Sequence, residues 1–128
     1  MLDKFTLEII SPDRSILKLE TNEVTIPSYE GQMGILKDHI PLITFLRPGF
    51  IVVKGEKEKK YYVEDGTVEF SKNNLLILTS TAKDLKNFDK VSINSLINDA
   101  EKKLKNSNSS DKEKYLASYK IDTLKEIN

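Results

Sequence analysis

The sequence predicts an antiparallel β-sandwich followed by an antiparallel hairpin of two helices. Residues 5–80 contain short alternating or fully apolar runs broken by turn residues, which is the pattern of strands. Turns spaced roughly 8 to 12 residues apart favour a sandwich over alternating strands and helices. After Phe88, apolar residues recur at intervals of three and four, the period of an amphipathic helix. We therefore expect a sandwich domain over residues 1–87 and a helical hairpin over residues 88–128.

The composition is that of a folded protein with no strong charge preference. Of the 128 residues, 38% are hydrophobic and 31% charged, so one sizeable core is expected. Twenty basic residues balance twenty acidic ones, which argues against nucleic acid or an anionic membrane surface as a partner. The amino terminus has neither a signal-peptide pattern nor a long apolar run, so we expect a cytosolic protein or one that sits on a partner.

The first strands are predicted from alternation and from the turns between them. Residues 5–9 alternate apolar with polar, residues 11–14 contain a turn with Pro12, and residues 16–19 form a second apolar run. Residues 23–26 alternate again before Pro27. Three strands are therefore expected before residue 28.

The next strands are predicted from apolar runs. Residues 50–53 and 75–78 are apolar on both faces, so we expect these two strands to lie deepest in the sandwich. The charged segment 54–60 and the Asp-Gly segment 64–66 are both interpreted as hairpin turns. The charged residues of segment 54–60 are typical of a solvated hairpin tip.

The helical hairpin is predicted from two apolar stripes and their caps. Asp89 or Ser92 can cap the first helix, and Ser110 with Glu113 forms a capping box for the second. The expected inner residues are Ile93, Leu96, Ile97, Ala100 and Leu104 in the first helix, and Leu116, Tyr119, Thr123, Leu124 and Ile127 in the second. Each stripe is narrow, so we expect the hairpin to pack on another surface and to be able to leave it.

No pattern in the sequence predicts catalysis. The chain has no cysteine and one histidine, His39, so a cysteine nucleophile, a disulfide and a cysteine-based zinc site are excluded. There is no Gly-x-Ser-x-Gly elbow and no phosphate-binding glycine loop. The carboxylates lack the spacing of a calcium loop. We therefore predict no catalytic residue, no cofactor and no metal.

One predicted loop, residues 29–44, concentrates glycine, proline, histidine and apolar residues. As structure, Gly31 and Gly34 supply backbone freedom, Pro41 fixes a bend and His39 is a hydrogen-bonded packing residue. As function, apolar residues beside Glu30 and His39 suit a docking surface. The pattern leaves both interpretations open.

The motif in this segment resembles the epsilon subunit family of F-type ATP synthases, called delta in mitochondria. The matching residues are Glu30-Gly31-Gln32-Met33-Gly34-Ile35, then Asp38-His39-Ile40-Pro41-Leu42-Ile43-Thr44, then Arg47-Pro48-Gly49. The opening residues 7–12 and the segment 63–70 are similar to the family too, so the resemblance covers the whole chain. It implies a sandwich of about ten strands and a helical hairpin.

The resemblance also implies a non-catalytic rotor protein. The sandwich would bind the gamma shaft on one side and the polar loops of the proton-carrying ring on the other, so that the protein is peripheral on the cytoplasmic face of the cell membrane. The implied contact residues lie in one loop: Glu30, Gln32, His39, Pro41 and Leu42. Family members often carry an acidic residue where this chain has Gln32.

For the hairpin, the resemblance implies regulation of ATP hydrolysis through contact with the catalytic head subunits. On the second helix, however, four lysines are offset by four acidic residues, so strong inhibition is not expected. A nucleotide contact is implied at Asp89, but Ser92 replaces the family arginine and no arginine follows Arg47. Since arginine is the usual phosphate-binding fork, we predict weak or absent ATP binding.

One alternative remains from the residues alone. Sandwiches host many functions, so the chain could be a stand-alone module that binds a peptide or a sugar. That function predicts a groove lined with aromatic side chains, whereas the ten Phe and Tyr residues are scattered along the chain and tryptophan is absent.

Overall fold

In the computed structural model, which describes residues 3–127, ten strands form one curled sheet and two helices follow it. The strands are β1 (Phe5–Ile10), β2 (Ser15–Thr21), β3 (Glu23–Ser28), β4 (Gly31–Leu36), β5 (Leu42–Leu46), β6 (Gly49–Lys54), β7 (Lys59–Val63), β8 (Gly66–Ser71), β9 (Asn74–Leu78) and β10 (Lys83–Asp84). A 3₁₀ turn (Leu85–Asn87) leads to the helices α1 (Lys90–Lys105) and α2 (Asp111–Ile127).

The sheet folds into a sandwich at one weak pairing. Its order is β10-β7-β6-β3-β5-β8-β9-β1-β2, with β4 paired to the other side of β3. Only Ser28 and Leu46 pair between β3 and β5, so the sheet divides there into two halves of five strands. One core cluster draws buried side chains from both halves, including Ile26, Ile51 and Phe70. The predicted sandwich is confirmed, with one parallel pair, β1 with β9.

The sharp corner between the halves has a local cause at Pro27. β3 pairs with β6 only from Glu23 to Thr25. Two residues later Pro27 has no N–H to continue the ladder, and its carbonyl accepts from the Arg47 N–H at 2.9 Å. Gly49 lies against its ring. The chain therefore leaves β6 and turns toward β5 at this residue.

Two turn predictions are wrong. Segment 64–66 is not a hairpin turn, because β7 pairs with β6 and β10 whereas β8 pairs with β5 and β9. It carries the chain from one half of the sandwich to the other, with Gly66 at φ +149°. Segment 29–44 is not one loop, because it contains all of β4 and the start of β5. Gly31 and Gly34 favoured a loop prediction, but of these two only Gly31 has a positive φ, at +121°.

The prediction that residues 50–53 and 75–78 lie deepest is only partly right. In β6, Ile51 and Val53 face the core, while the opposite face carries Phe50 against the helices. In β9, Leu75 and Ile77 are buried but Leu78 points outward and is exposed. The outward apolar residues of the two strands therefore differ in their surroundings. Phe50 in β6 contacts the helices, whereas Leu78 in β9 belongs to an uncovered surface.

The helices begin where their caps were predicted. The Asp89 carboxylate accepts from the Ser92 N–H at 2.7 Å. Ser110 and Glu113 exchange hydrogen bonds of 3.0 and 3.1 Å. Both are side-chain caps of the kind that the first turn of a helix requires.

The predicted inner faces need three corrections. In α1, Leu104 lies outside the buried stripe, which consists of Ile93, Ile97 and Ala100. In α2, Ala117 and Ile121 are buried although they were not predicted, because they meet Ala100 of α1. Leu116, Tyr119 and Ile127 are half-buried, and Thr123 and Leu124 are buried.

The hairpin packs on the outer face of β6 and β7. Tyr62 and Phe50 from the strands meet Ile93, Ile97 and Leu124 from the helices in a second apolar cluster. This contact covers the hairpin's apolar stripe, as the narrowness of each stripe predicted.

Gly49→Ala is predicted to lower the free energy of unfolding by about 2 kcal/mol. The added Cβ would lie 2.4 Å from Cβ of Pro27, a rigid neighbour that cannot move aside. Urea unfolding measures the loss. Gly34→Ala is the matched control, because its Cβ would meet only the flexible end of Glu23, at 3.4 Å. Equal stability of the two variants would contradict the steric role of this corner.

The capping box predicts a specific pH dependence of the stability of α2. The hydrogen bond from the Ser110 N–H lowers the pKa of Glu113 below its ordinary 4.5. A lowered folded pKa means that the stabilisation is present above pH 4.5 and is lost as the pH falls through the folded value. Glu113→Gln keeps an acceptor for the cap but cannot titrate.

The helix signal in circular dichroism, followed through urea unfolding at several pH values, checks this. We expect stability to fall less below pH 4.5 in Glu113→Gln than in the unchanged protein. Glu126→Gln, an exposed carboxylate on the same helix, controls for the lost charge. Parallel pH curves for the unchanged protein and Glu113→Gln would overturn the assignment.

Candidate interaction surfaces

The turn between β3 and β4 is held by a buried serine. Ser28 donates from its hydroxyl to the Gly31 carbonyl at 2.7 Å and accepts from the Glu30 N–H at 3.2 Å. The Tyr29 N–H donates to the Phe45 carbonyl at 3.2 Å. The Glu30 carboxylate accepts from the Thr44 hydroxyl at 3.4 Å. These bonds leave Tyr29 and Glu30 exposed on a rigid turn at one end of the sandwich.

The structure does not place the predicted contact residues in one loop. Glu30 and Gln32 lie at the beginning of β4, whereas His39, Pro41 and Leu42 follow its end. The five residue steps from Gly31 to Leu36 span about 17 Å of extended strand. The spacing of the motif along the chain could not show this, because the intervening residues looked like a loop.

The segment after β4 is held in place by Asn73, a residue that the sequence analysis did not identify. Asn73, in the turn between β8 and β9, accepts from the Asp38 N–H at 2.7 Å and donates to the Asp38 carboxylate at 3.0 Å. Both residues have positive φ, 67° at Asp38 and 59° at Asn73. Adjacent asparagines at 73 and 74 were the available turn signal.

His39 serves this segment as a packing residue. Its ring lies edge-on to Phe70 at 5.9 Å, and its Nδ1 is 2.8 Å from the Ile40 carbonyl. The neighbouring Ile40 and Pro41 are exposed, while Leu42 is half-buried against the core.

An uncovered apolar surface lies on the outer face of β5 and β9. Ile43, Phe45 and Leu78 are 74%, 57% and 45% exposed. The register aligns Phe45 with Thr67 and Thr67 with Leu78, in one row across three strands. We call these three side chains the apolar face. Beside it runs an apolar groove of about 920 Å³, also lined by Ile10, Pro12, Tyr29 and Lys112.

Sequence reasoning missed the apolar face. Its signal was the run of apolar residues at 75–78, which was interpreted as burial, whereas residues 43 and 44 were assigned to a loop. Exposed apolar residues grouped in this way mark interaction sites more often than isolated ones do.

The contact between hairpin and sandwich contains a partly buried polar network. The Tyr62 hydroxyl donates to the Glu64 carboxylate at 2.9 Å, and Lys120 of α2 forms an ion pair with that carboxylate at 3.1 Å. Burial, and then the charge of Glu64, raise the pKa of the Tyr62 phenol, so it stays protonated as a donor. Thr123 donates from its hydroxyl to the Tyr119 carbonyl at 2.7 Å, and Lys120 crosses to the strands beside it.

Asp89 lies at the edge of a polar cavity of about 520 Å³. The hydrogen bond from the Ser92 N–H is the main reason that the pKa of Asp89 is lowered. The carboxylate is thus engaged as a helix cap. The cations lining the cavity are Arg14 and Lys83.

Residues 3–127 contain neither a metal-binding cluster nor a membrane-spanning helix. No group of three or more His, Cys, Asp or Glu side chains in this range could hold a metal ion. No helix there is both long enough and apolar enough to cross a membrane.

Comparison with known proteins identifies the family. Residues 4–84 match the family model "ATP synthase, Delta/Epsilon chain, beta-sandwich domain". The chain is 48% identical to the ATP synthase epsilon chain of Pelagibacter ubique, over the full length of both. It is 31% identical to that of Parvibaculum lavamentivorans, over 99% of this chain and 97% of the relative.

Two solved structures share the fold. A chain of the Euglena gracilis mitochondrial ATP synthase (OSCP/F1/c-ring) matches with a TM-score of 0.77 and 22% identity, over 98% of this chain and 79% of that one. A chain of the Tetrahymena thermophila mitochondrial ATP synthase (central stalk/c-ring) matches with a TM-score of 0.66 and 15% identity, over 98% and 96%. With the sandwich, the hairpin and the motif at residues 30–49, these matches establish that the chain belongs to the ATP synthase delta/epsilon family, as an epsilon chain.

Proposed function

We propose that this epsilon chain is a non-catalytic subunit of the ATP synthase central stalk, coupling the gamma shaft to the membrane ring. It would lie on the cytoplasmic face of the cell membrane and touch the membrane only through the complex. Family membership over the full chain supports the complex. The observation that carries the mechanical role is the apolar face, where three exposed apolar side chains lie together on one side of the sandwich.

The apolar face suits the gamma shaft. A rotor contact must keep its register under load, and buried apolar area around aromatic anchors supplies most of the affinity of such interfaces. Phe45 projects from a strand that is paired to β8 along its length, so force on its ring passes into the sheet. Pro41 and Leu42 precede this surface in the chain and extend the proposed shaft contact.

The turn that carries Glu30 and Gln32 suits the polar loops of the ring. Both side chains are exposed, and Ser28 holds the turn from beneath. Gln32 adds hydrogen bonds without charge, so we assign the ring contact to polar matching rather than to a salt bridge at that position. His39 positions the segment before β5, because its ring packs edge-on against Phe70.

Torque transmission requires rigidity and no bond-making. One close-packed core joins both halves of the sandwich, and such interiors transmit strain with little compression. The alternative of a peptide- or sugar-binding module predicted an aromatic-lined groove. The groove beside the apolar face has only two aromatic side chains, Tyr29 and Phe45, and the family match favours the stalk.

Phe45→Ser is predicted to weaken binding of purified gamma subunit by about 10- to 100-fold, because large aromatic anchors dominate interface energies. Affinity can be measured with the tagged full chain in a pull-down series. The fold should be unchanged, since the ring is 57% exposed.

Val91→Ser is the matched control, because Val91 is an exposed apolar residue on the hairpin. It should bind gamma as the unchanged chain does. Undiminished binding of gamma by Phe45→Ser would show that the apolar face is not the shaft contact. If the unchanged chain does not bind gamma, the proposed function is wrong.

ATP titrated into the full chain is predicted to show no saturable heat up to roughly 1 mM, a level at which even weak sites fill. Asp89 is engaged as a helix cap, and no arginine follows Arg47 to bind phosphate. Calorimetry checks this, with Asp89→Asn as a variant that still caps the helix. Saturable binding that Asp89→Asn abolishes would assign Asp89 to a nucleotide site.

A further inference from the structure

Four side chains form a stacked ladder between α2 and the sandwich. The Arg47 guanidinium lies 4.1 Å from the centre of the Tyr119 ring. Tyr119 meets Tyr115 edge-on, with ring centres 4.8 Å apart. Tyr115 lies parallel to Tyr29, with an angle of 11° and ring centres 6.3 Å apart. The ladder thus runs from the connection between β5 and β6, through α2, to the turn between β3 and β4.

Two apolar clusters hold the hairpin besides the ladder. Ala100, Ala117 and Ile121 hold the two helices to each other. The apolar cluster at Tyr62 binds the end of the hairpin where α1 begins and α2 finishes. Tyr115 lies instead in the first half of α2, and Tyr119 lies at its middle. The ladder is therefore a contact separate from these two clusters, and we expect both helices to remain folded without it.

Tyr29 connects this contact to the proposed partner surfaces. Its side chain lines the apolar groove beside Phe45, and also a second cavity, of about 510 Å³, between the hairpin and the sandwich. It immediately precedes Glu30 on the same rigid turn. Lys112 of α2 reaches the apolar groove as well, so the docked hairpin forms part of the wall of that groove.

We propose that the ladder Arg47–Tyr119–Tyr115–Tyr29 is a latch that holds the hairpin on the sandwich, and that displacing the Tyr29 ring releases the hairpin. The assignment of Tyr29 to a partner surface rests on the proposed function, whereas the latch itself does not. A partner that moves Tyr29 would thereby change the population of the undocked hairpin, as coupling between two sites of one protein requires.

A chain without cysteine allows the latch to be tested by thiol labelling. Thr123→Cys places one thiol in a buried position on the inner face of α2, next to Pro48. Its labelling rate by a soluble disulfide reagent reports how often the hairpin opens. In this background, Tyr29→Ala should raise the rate about tenfold, from the loss of one aromatic pair and its burial. Tyr115→Ala removes two pairs, with Tyr29 and with Tyr119, and should raise the rate at least as much.

Three comparisons isolate the ladder. Tyr115→Phe keeps the ring and should restore the slow rate. Leu104→Ala should leave the rate unchanged, because Leu104 is as exposed as Tyr115, 39% in both cases, but lies outside the ladder. The double variant Tyr29→Ala with Tyr115→Ala should be no faster than Tyr115→Ala alone, since that substitution already removes the stack with Tyr29.

A second reporter separates hairpin release from unfolding of the sandwich. Val68→Cys places a thiol in the core of the sandwich, and its labelling rate should not change in the ladder variants. The latch is overturned if Tyr29→Ala labels as slowly as the unchanged ladder, or if both reporters accelerate together. Because the experiment uses the isolated chain, these outcomes are independent of whether gamma binds the apolar face.

Discussion

The corner where β3 changes its partner organises the rest of the molecule. Pro27 has no N–H to extend the ladder to β6, and Gly49 fits against its ring with no room for a Cβ. One residue pair, Ser28 with Leu46, is all that remains between β3 and β5. The sheet can therefore fold over sharply, and the two halves close on one core.

The same corner determines where the hairpin docks. The connection from β5 to β6 passes through Arg47 and Pro48, directly beside the proline–glycine contact. Arg47 lies over the Tyr119 ring, and the Pro48 carbonyl is 3.5 Å from the Thr123 hydroxyl. Folding of the sandwich thus creates a surface for α2, although the amphipathic stripes of the helices carry no information about that surface.

The functional surfaces follow from what the two layers leave uncovered. The hairpin covers the outer face of β6 and β7, whereas the outer face of β5 and β9 keeps Ile43, Phe45 and Leu78 exposed. The charged groups are balanced and dispersed, so partner recognition depends more on shape and apolar contact than on a long-range electrostatic field. This division leaves the apolar face free on one side of the sandwich while the hairpin occupies another.

The sequence by itself determined the fold class, the helix caps and the family, because these depend on local features. Alternation over a few residues, the Ser110–Glu113 box and the motif from Glu30 to Gly49 can each be read from neighbouring positions. Only the tertiary structure decided which strands pair, that residues 31–36 form β4, and that Leu78 faces outward while Leu75 faces the core. It alone brought Tyr29 against Tyr115 and Asn73 against Asp38. These contacts join positions far apart in the chain. Local sequence allows several strand pairings, and burial of the shared core selects one of them.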